Sequence, residues 1–178
     1  VQETEMPEYD YDYHPIARKG FKEIFDKDPI DFKHPELSTE WRQFRLNAIT
    51  SLVNEIAEIA HAKNQKVTAA VFPFPEMSRQ MVRQAWNDWN LDAAYPMLYQ
   101  NFYRENINWI GFATKQGVND VDFPVISGLY ASALRDPKDL EKAINLAKDK
   151  GAKGISIFTA DGLTKEQKAV FVKFKEQK

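Results

Sequence analysis

The sequence contains no cysteine and only three histidines, and each shortage narrows the chemistry open to the protein. Without cysteine, disulfides and thiolate-bound metals are excluded, although the cellular compartment is not fixed. The histidines, His14, His34 and His61, are scattered, and none has metal-ligand spacing to another histidine or to a paired acid. We therefore predict no metal and no other cofactor.

Long apolar runs and a surplus of positive charge are also missing. No apolar run approaches the roughly 20 residues that span a bilayer, so no membrane span is expected. The formal net charge is −2 and both signs are mixed along the chain, which gives nucleic-acid binding no support. No glycine-rich phosphate loop follows any predicted strand.

After about residue 66, short β-rich runs alternate with helical runs. The predicted strands start about 26 to 31 residues apart, which is the spacing of βα units. Their near-continuous apolar character is typical of parallel strands buried on both faces. The predicted strands cover residues 66–72, 92–99, 123–130 and 153–159, and the predicted helices cover 77–90, 104–117, 136–151 and 165–175.

The first part of the chain has a different organisation. Residues 1–40 form a loop-rich extension with a short helix, and residues 41–63 form a long helix with apolar residues at helical spacing. Ser38 or Thr39 can cap this helix. Arg45 lies inside the apolar stripe, either in a structural salt bridge or reaching toward the top of the sheet.

No strand is predicted before the long helix, although a helix in a βα series normally follows one. We therefore predict a single domain of the α/β class over residues 1–178: the C-terminal half of a (β/α)8 TIM-type barrel, with four parallel βα units preceded by a long helix. A complete barrel needs about 250 residues, so a truncated barrel is expected.

In parallel βα folds, binding sites lie at the carboxyl ends of the strands. The residues predicted there are aromatic or polar and few are charged, as in a carbohydrate site, although a plain loop rim has the same composition. With Arg45 added, the predicted substrate-binding residues are Arg45, Phe74, Met97, Tyr99, Asn101, Tyr103, Tyr130 and Thr159.

Glycosidases need two carboxylates on either side of the scissile bond. Glu76 and Asp161 are the candidates at strand ends, but Glu76 can equally cap a helix and Asp161 suits a turn. Asp10 and Asp12 can reach the rim from the N-terminal loop. An acid/base pair is therefore not assigned.

Several runs in order resemble the bacterial family-10-like glycosyl hydrolases, once grouped as a domain of unknown function. These runs are Trp41-Arg-Gln-Phe-Arg45, Thr68-Ala-Ala-Val-Phe-Pro-Phe-Pro75, Gln84-Ala-Trp-Asn-Asp-Trp89, Leu91-Asp-Ala-Ala-Tyr-Pro-Met-Leu-Tyr99 and Gly151-Ala-Lys-Gly-Ile-Ser-Ile-Phe158. The family positions that match are Arg45, Pro73, Trp86, Asp92, Pro96, Met97 and Tyr99. The family's Asp-Tyr-Ile-Arg-Tyr-Pro-like motif, with its suspected functional Asp, is absent here.

The resemblance implies that the parent protein is a secreted, periplasmic or cell-envelope glycoside hydrolase acting on a polysaccharide or glycan. The chain would supply half of the substrate cleft and would be inactive alone. The expected partners are the glycan, the missing N-terminal half of the barrel, and further copies that cover exposed sheet edges. One alternative is a non-catalytic carbohydrate-binding or scaffold module with the same fold. Another is a complete small α/β domain with an unrelated ligand.

Overall fold

A computed structural model describes residues 12–175 of the chain as a mixed α/β fold. Within these residues, six α-helices accompany four short parallel strands, and helix and strand alternate from the second helix onward. The helices are α1 (Pro15–Phe25), α2 (Thr39–His61), α3 (Pro75–Val82), α4 (Asn108–Asn119), α5 (Pro137–Asp149) and α6 (Lys165–Lys175). The strands are β1 (Thr68–Val71), β2 (Ala93–Pro96), β3 (Ile126–Tyr130) and β4 (Gly154–Phe158).

Local capping residues explain where three of the helices begin. The Ser38 hydroxyl accepts a hydrogen bond from the Trp41 N–H at 3.1 Å and caps α2. Asp136 caps α5 in the same way, just before a proline at the first helical position. Thr164 and Gln167 form a reciprocal capping box at α6, with distances of 2.9 and 3.2 Å. Of the two caps that the sequence offered for α2, Ser38 is the one used.

The strands follow one another across the fold in the order in which they occur in the chain. β1 pairs with β2 in parallel from Thr68↔Ala93 onward, and β3 pairs with β4 in parallel from Ile126↔Gly154 onward. Isolated parallel bridges, Ala94↔Val125 and Met97↔Gly128, join the two pairs. The parallel βα arrangement is therefore confirmed, with strands shorter than the sequence predicts.

Helices cover one face of these strands, and the other face is only partly covered. Val71, Ala94 and Leu129 are buried, in two cores that also contain side chains of α2, α4, α5 and α6. Thr68 and Ala70, on the alternate positions of β1, are exposed. The prediction that both faces are buried is therefore wrong for β1.

The predicted helix over residues 77–90 is also wrong in its second half. Helix α3 ends at Val82, because Arg83 adopts the left-handed conformation and the chain turns back. The Gln84 side-chain carbonyl then accepts a hydrogen bond from the Phe72 N–H at 2.9 Å. Trp86 starts a short 3-10 turn rather than lying in mid-helix, and it is fully buried beside the sheet.

The next helix begins later than predicted. Residues Gln100–Tyr103 form a 3-10 turn, and Arg104 leaves that turn in the left-handed conformation. The Asn106 side chain accepts a hydrogen bond from the Asn108 N–H at 2.9 Å, at the start of α4. The predicted helix over residues 104–117 therefore becomes a turn followed by Asn108–Asn119.

Helix α2 carries apolar side chains on two faces, of which one is buried. Ile49, Val53 and Ala57, at i, i+4 and i+8, lie on the face that packs against the rest of the fold, and Ala57 is fully buried. Leu52, Ile56 and Ile59 are 58%, 50% and 55% exposed and lie on an outer face, at i, i+4 and i+7. We call these three residues the outer ridge of α2.

A polar clamp joins the end of α2 to the beginnings of β1 and β2. The Asp92 carboxylate accepts hydrogen bonds from the Val67 N–H at 2.7 Å and from His61 Nε2 at 2.9 Å. These contacts lower the pKa of Asp92, and the Val67 hydrogen bond has the largest effect.

Among the described residues, none of the helices combines the length and apolarity required to cross a membrane.

Candidate functional site

Four aromatic side chains meet at the carboxyl ends of β2, β3 and β4. Tyr99 follows β2, Phe102 lies in the turn after it, and Tyr130 and Phe158 are the last residues of β3 and β4. We call these four residues the ring cluster. The Tyr99 ring centroid lies 5.5 Å from that of Tyr130 and 6.0 Å from those of Phe102 and Phe158.

The register of the parallel strands explains why these rings meet. Tyr130 and Phe158 are direct partners in the β3–β4 pairing, so their side chains lie on the same side of the sheet. Their centroids are 6.3 Å apart and the ring planes are inclined by 27°. The bridge from Met97 to Gly128 sets β2 beside β3 and brings Tyr99 to the same edge.

The ring cluster is partly open to solvent. Phe102 is 65% exposed and Phe158 is 55% exposed, whereas the two tyrosines are half-buried. Burial raises the pKa of Tyr99, so its hydroxyl stays protonated at neutral pH and can donate a hydrogen bond. Exposed ring faces beside phenol hydroxyls can bind a ligand that has an apolar face and hydroxyl groups, such as a sugar.

The other predicted rim residues lie around this cluster or support it. Tyr103 packs on Trp109 at 5.1 Å, and burial together with nearby Tyr99 raises its pKa. Phe74 is half-buried and packs against Trp109 and against the core, which is a structural role. Asn101 is exposed in the turn after β2, and Met97 is half-buried in the bridge to β3.

The two predicted catalytic carboxylates are not in the ring cluster. Glu76 is exposed in the first turn of α3 and lines a cleft of about 320 Å³ between α2 and α3. Arg42, Arg79 and Asp88 line the same cleft, and none of the four rings does. Asp161 is exposed in the short 3-10 turn Ala160–Gly162 after β4, and the exposed Thr159 immediately precedes this turn.

Arg45 is buried near the start of α2, with 8% of its surface exposed. Its Nη1 donates to Asp12 Oδ2 at 3.2 Å, and its guanidinium lies 4.9 Å from the centre of the Trp41 ring. Burial and the charge of Arg83 lower the pKa of Arg45, while Asp12 and Tyr13 act in the opposite direction. The salt bridge that the sequence left as one alternative is therefore present. Asp10 lies outside the described residues.

Sequence reasoning missed two of the four rings, Phe102 and Phe158. Phe158 occupies in β4 the register position that Tyr130 occupies in β3, so alignment of the strand ends was the signal that could have found it. Phe102 lies in a turn whose course the sequence pattern did not predict. Among residues 12–175, no group of three or more side chains could hold a metal ion.

Comparison with known proteins adds no family to this description. No protein-family model matches the chain, and a search of curated proteins found no match. The interpretation of the site therefore depends on its geometry.

Proposed function

We propose that the chain is the C-terminal half of a (β/α)8 barrel of the glycoside-hydrolase type and supplies part of a carbohydrate-binding cleft. The observation that carries the proposal is the ring cluster at the carboxyl ends of three adjacent parallel strands. In barrels of this type the site lies at that end of the strands. Partly exposed rings there suit stacking on the apolar face of a sugar.

The strand order supports the barrel part of the proposal. Each strand lies beside its neighbour in sequence, from β1 to β4, without the reversal of order that marks a doubly wound sheet. The helices cover one face, as they cover the outside of a barrel, and the partly covered face corresponds to the barrel interior.

The outer ridge of α2 also supports a larger assembly. In a complete barrel each helix packs between two neighbouring helices, and α2 has no helix preceding it in a βα series. Leu52, Ile56 and Ile59 lie at the spacing of a helix-packing face and are exposed. The missing half of the barrel would cover this ridge and the free edges of β1 and β4. The resemblance to family-10-like glycosyl hydrolases further implies that the parent protein would act outside the cytoplasm.

The test of the proposal is binding of neutral oligosaccharides. We expect the chain to bind a member of a panel of cello-, xylo- and chito-oligosaccharides in saturation-transfer NMR. Phe102→Ala should weaken this binding about twofold to thirteenfold, since an aromatic contact contributes about 0.5–1.5 kcal/mol. The matched control is Phe112→Ala, which removes a phenylalanine of similar exposure from α4, outside the ring cluster.

No binding by any oligosaccharide, or equal effects of the two alanine variants, would contradict the proposal. An assay for hydrolysis of aryl glycosides shows whether the chain is a fragment of an enzyme or a complete enzyme. We expect no turnover by the chain alone, because Glu76 lines a different cleft from the ring cluster. Turnover that is lost on Glu76→Gln would show that the chain is catalytically complete.

A non-catalytic carbohydrate-binding module is the second candidate function. Glu76 lines a cleft to which none of the four rings contributes, and this observation favours binding without hydrolysis. Such a module would bind oligosaccharides equally well after Glu76→Gln, with the same loss on Phe102→Ala.

A further inference from the structure

The cleft between α2 and α3 is a polar cavity that contains none of the four rings of the ring cluster. Its volume is about 320 Å³. Sites for small molecules have volumes of about 300–1,000 Å³, so the cleft suits a ligand at the small end of that range. Leu46 and Ala85 line the cleft and are buried, and they therefore form its base. We call this cavity the α2–α3 cleft.

Helical spacing explains why polar side chains face each other across the α2–α3 cleft. Glu76, Arg79 and Gln80 occupy positions i, i+3 and i+4 of α3, so they share one face of that helix. Arg42 and Leu46 are four residues apart on α2 and share one of its faces. The Arg42 Nη1 donates to the Gln80 Oε1 at 3.3 Å, which joins the two helices across the cleft.

Four charged side chains line the α2–α3 cleft, and their charges balance. Arg42 and Arg79 are half-buried and positive, whereas Glu76 and Asp88 are exposed and negative. Within residues 12–175, none of these four side chains forms a salt bridge. Both signs of charge are therefore available to a ligand in the same cavity.

This balance of charge selects the class of ligand. An anion would meet the two carboxylates as well as the arginines, and a cation would meet the two arginines as well as the carboxylates. A zwitterion can place each of its charges against the opposite charge, so the cleft favours it over both. The planar guanidinium of arginine also matches a carboxylate, through two parallel hydrogen bonds.

We propose that the α2–α3 cleft binds a free α-amino acid. The carboxylate of the ligand lies against the two arginines, and its ammonium group lies against the two carboxylates of the cleft. The buried base of Leu46 and Ala85 accepts a small apolar side chain. The site is separate from the ring cluster and does not depend on the proposed function.

Titration with L-alanine, L-valine and L-leucine, followed through the amide signals in NMR spectra, tests the site. We expect saturable one-to-one binding of at least one of them, with the largest shifts in α3 and in the segment from Ala85 to Asp88. The amide and the N-acetyl derivative of the best ligand each lack one of its two charges. Each derivative should therefore bind at least fivefold more weakly, which corresponds to about 1 kcal/mol.

Two charge-removing variants identify the residues that bind the ligand. Arg79→Gln and Glu76→Gln should each weaken binding about fivefold, or about 1 kcal/mol, which is the upper value for an exposed ion pair. Arg135→Gln and Glu58→Gln are the matched controls, because they remove the same charges from exposed positions outside the cleft. These controls should bind the ligand as the wild type does. Glu76 is exposed, so its variant is expected to fold even if Arg79→Gln does not.

Three results would overturn the site. These are the absence of binding by all three amino acids, equal binding of a derivative that lacks one charge, and equal losses in the cleft variants and their controls. Neutral oligosaccharides are the probes for the ring cluster, and amino acids are the probes for the α2–α3 cleft. Failure of either proposal therefore leaves the other measurable.

Discussion

The buried hydroxyl pair between α4 and β3 allows a sharp test of how this helix is held on the sheet. Thr114 Oγ1 and Ser127 Oγ lie 3.0 Å apart, and both residues are fully buried. Thr114→Val keeps the shape of the side chain but leaves the Ser127 hydroxyl without this partner. A buried polar group that loses its partner costs about 1–3 kcal/mol, so we expect a loss of about 2 kcal/mol in the free energy of unfolding.

Substitution of the partner residue, Ser127→Ala, should lower the free energy of unfolding by less. After Ser127→Ala, the Thr114 hydroxyl can turn to the carbonyl one helical turn earlier, as threonines in helices often do. We expect a loss of about 1 kcal/mol, at the lower end of the range for an unpaired hydroxyl. In the double variant no hydroxyl remains unpaired, so its loss should be smaller than the sum of the two single losses by about 1–2 kcal/mol.

Urea unfolding followed by circular dichroism measures the free energy of unfolding of the wild type, the two single variants and the double variant. The result that would refute the reasoning is additivity of the two single losses to within about 0.5 kcal/mol. Additivity would mean that the two hydroxyls do not depend on each other, and therefore that α4 does not sit on β3 with this contact.

Two further predictions concern the clamp and the outer ridge of α2. Because its partners lower the pKa of Asp92, the ionised form stabilises the fold, and this stabilisation is lost as the pH falls below about 4. The urea midpoints of the wild type and Asp92→Asn should therefore differ more at pH 7 than at pH 3.5, and an equal difference at both would contradict the clamp. The chain should self-associate at high concentration, and joint Leu52→Gln and Ile56→Gln substitution should reduce the association in sedimentation; a monomeric wild type would contradict this.

Short-range signals predicted the helix starts, because a cap depends only on neighbouring residues. The cap at Ser38 needed no tertiary information, and the predicted helix over residues 136–151 begins at an Asp-Pro pair that signals a helix start by itself. The strands were also found, since their apolar runs recur at βα spacing, and this placed Tyr99 and Tyr130 at strand ends.

Long-range contacts explain what the sequence could not predict. A helical period suggested one helix from residue 77 to residue 90, but the hydrogen bond from Phe72 to Gln84 makes the chain turn back instead. The apolar pattern of α2 included Leu52 and Ile56 in one stripe, although only packing decides which apolar face is covered. The predicted catalytic role of Glu76 and Asp161 stays a prediction.

The glycine at position 128 connects the fold to the ring cluster. A Cβ atom at Gly128 would lie 2.8 Å from the carbonyl oxygen of Pro96, which is closer than real Cβ contacts allow. Only a residue without a side chain therefore lets β2 approach β3 at this point. The same approach allows the Leu98 N–H to donate to the Gly128 carbonyl at 2.8 Å, one residue before Tyr99. The 5.5 Å separation of Tyr99 and Tyr130 therefore depends on a backbone contact two residues before the end of β3, which no feature of the rings themselves could predict.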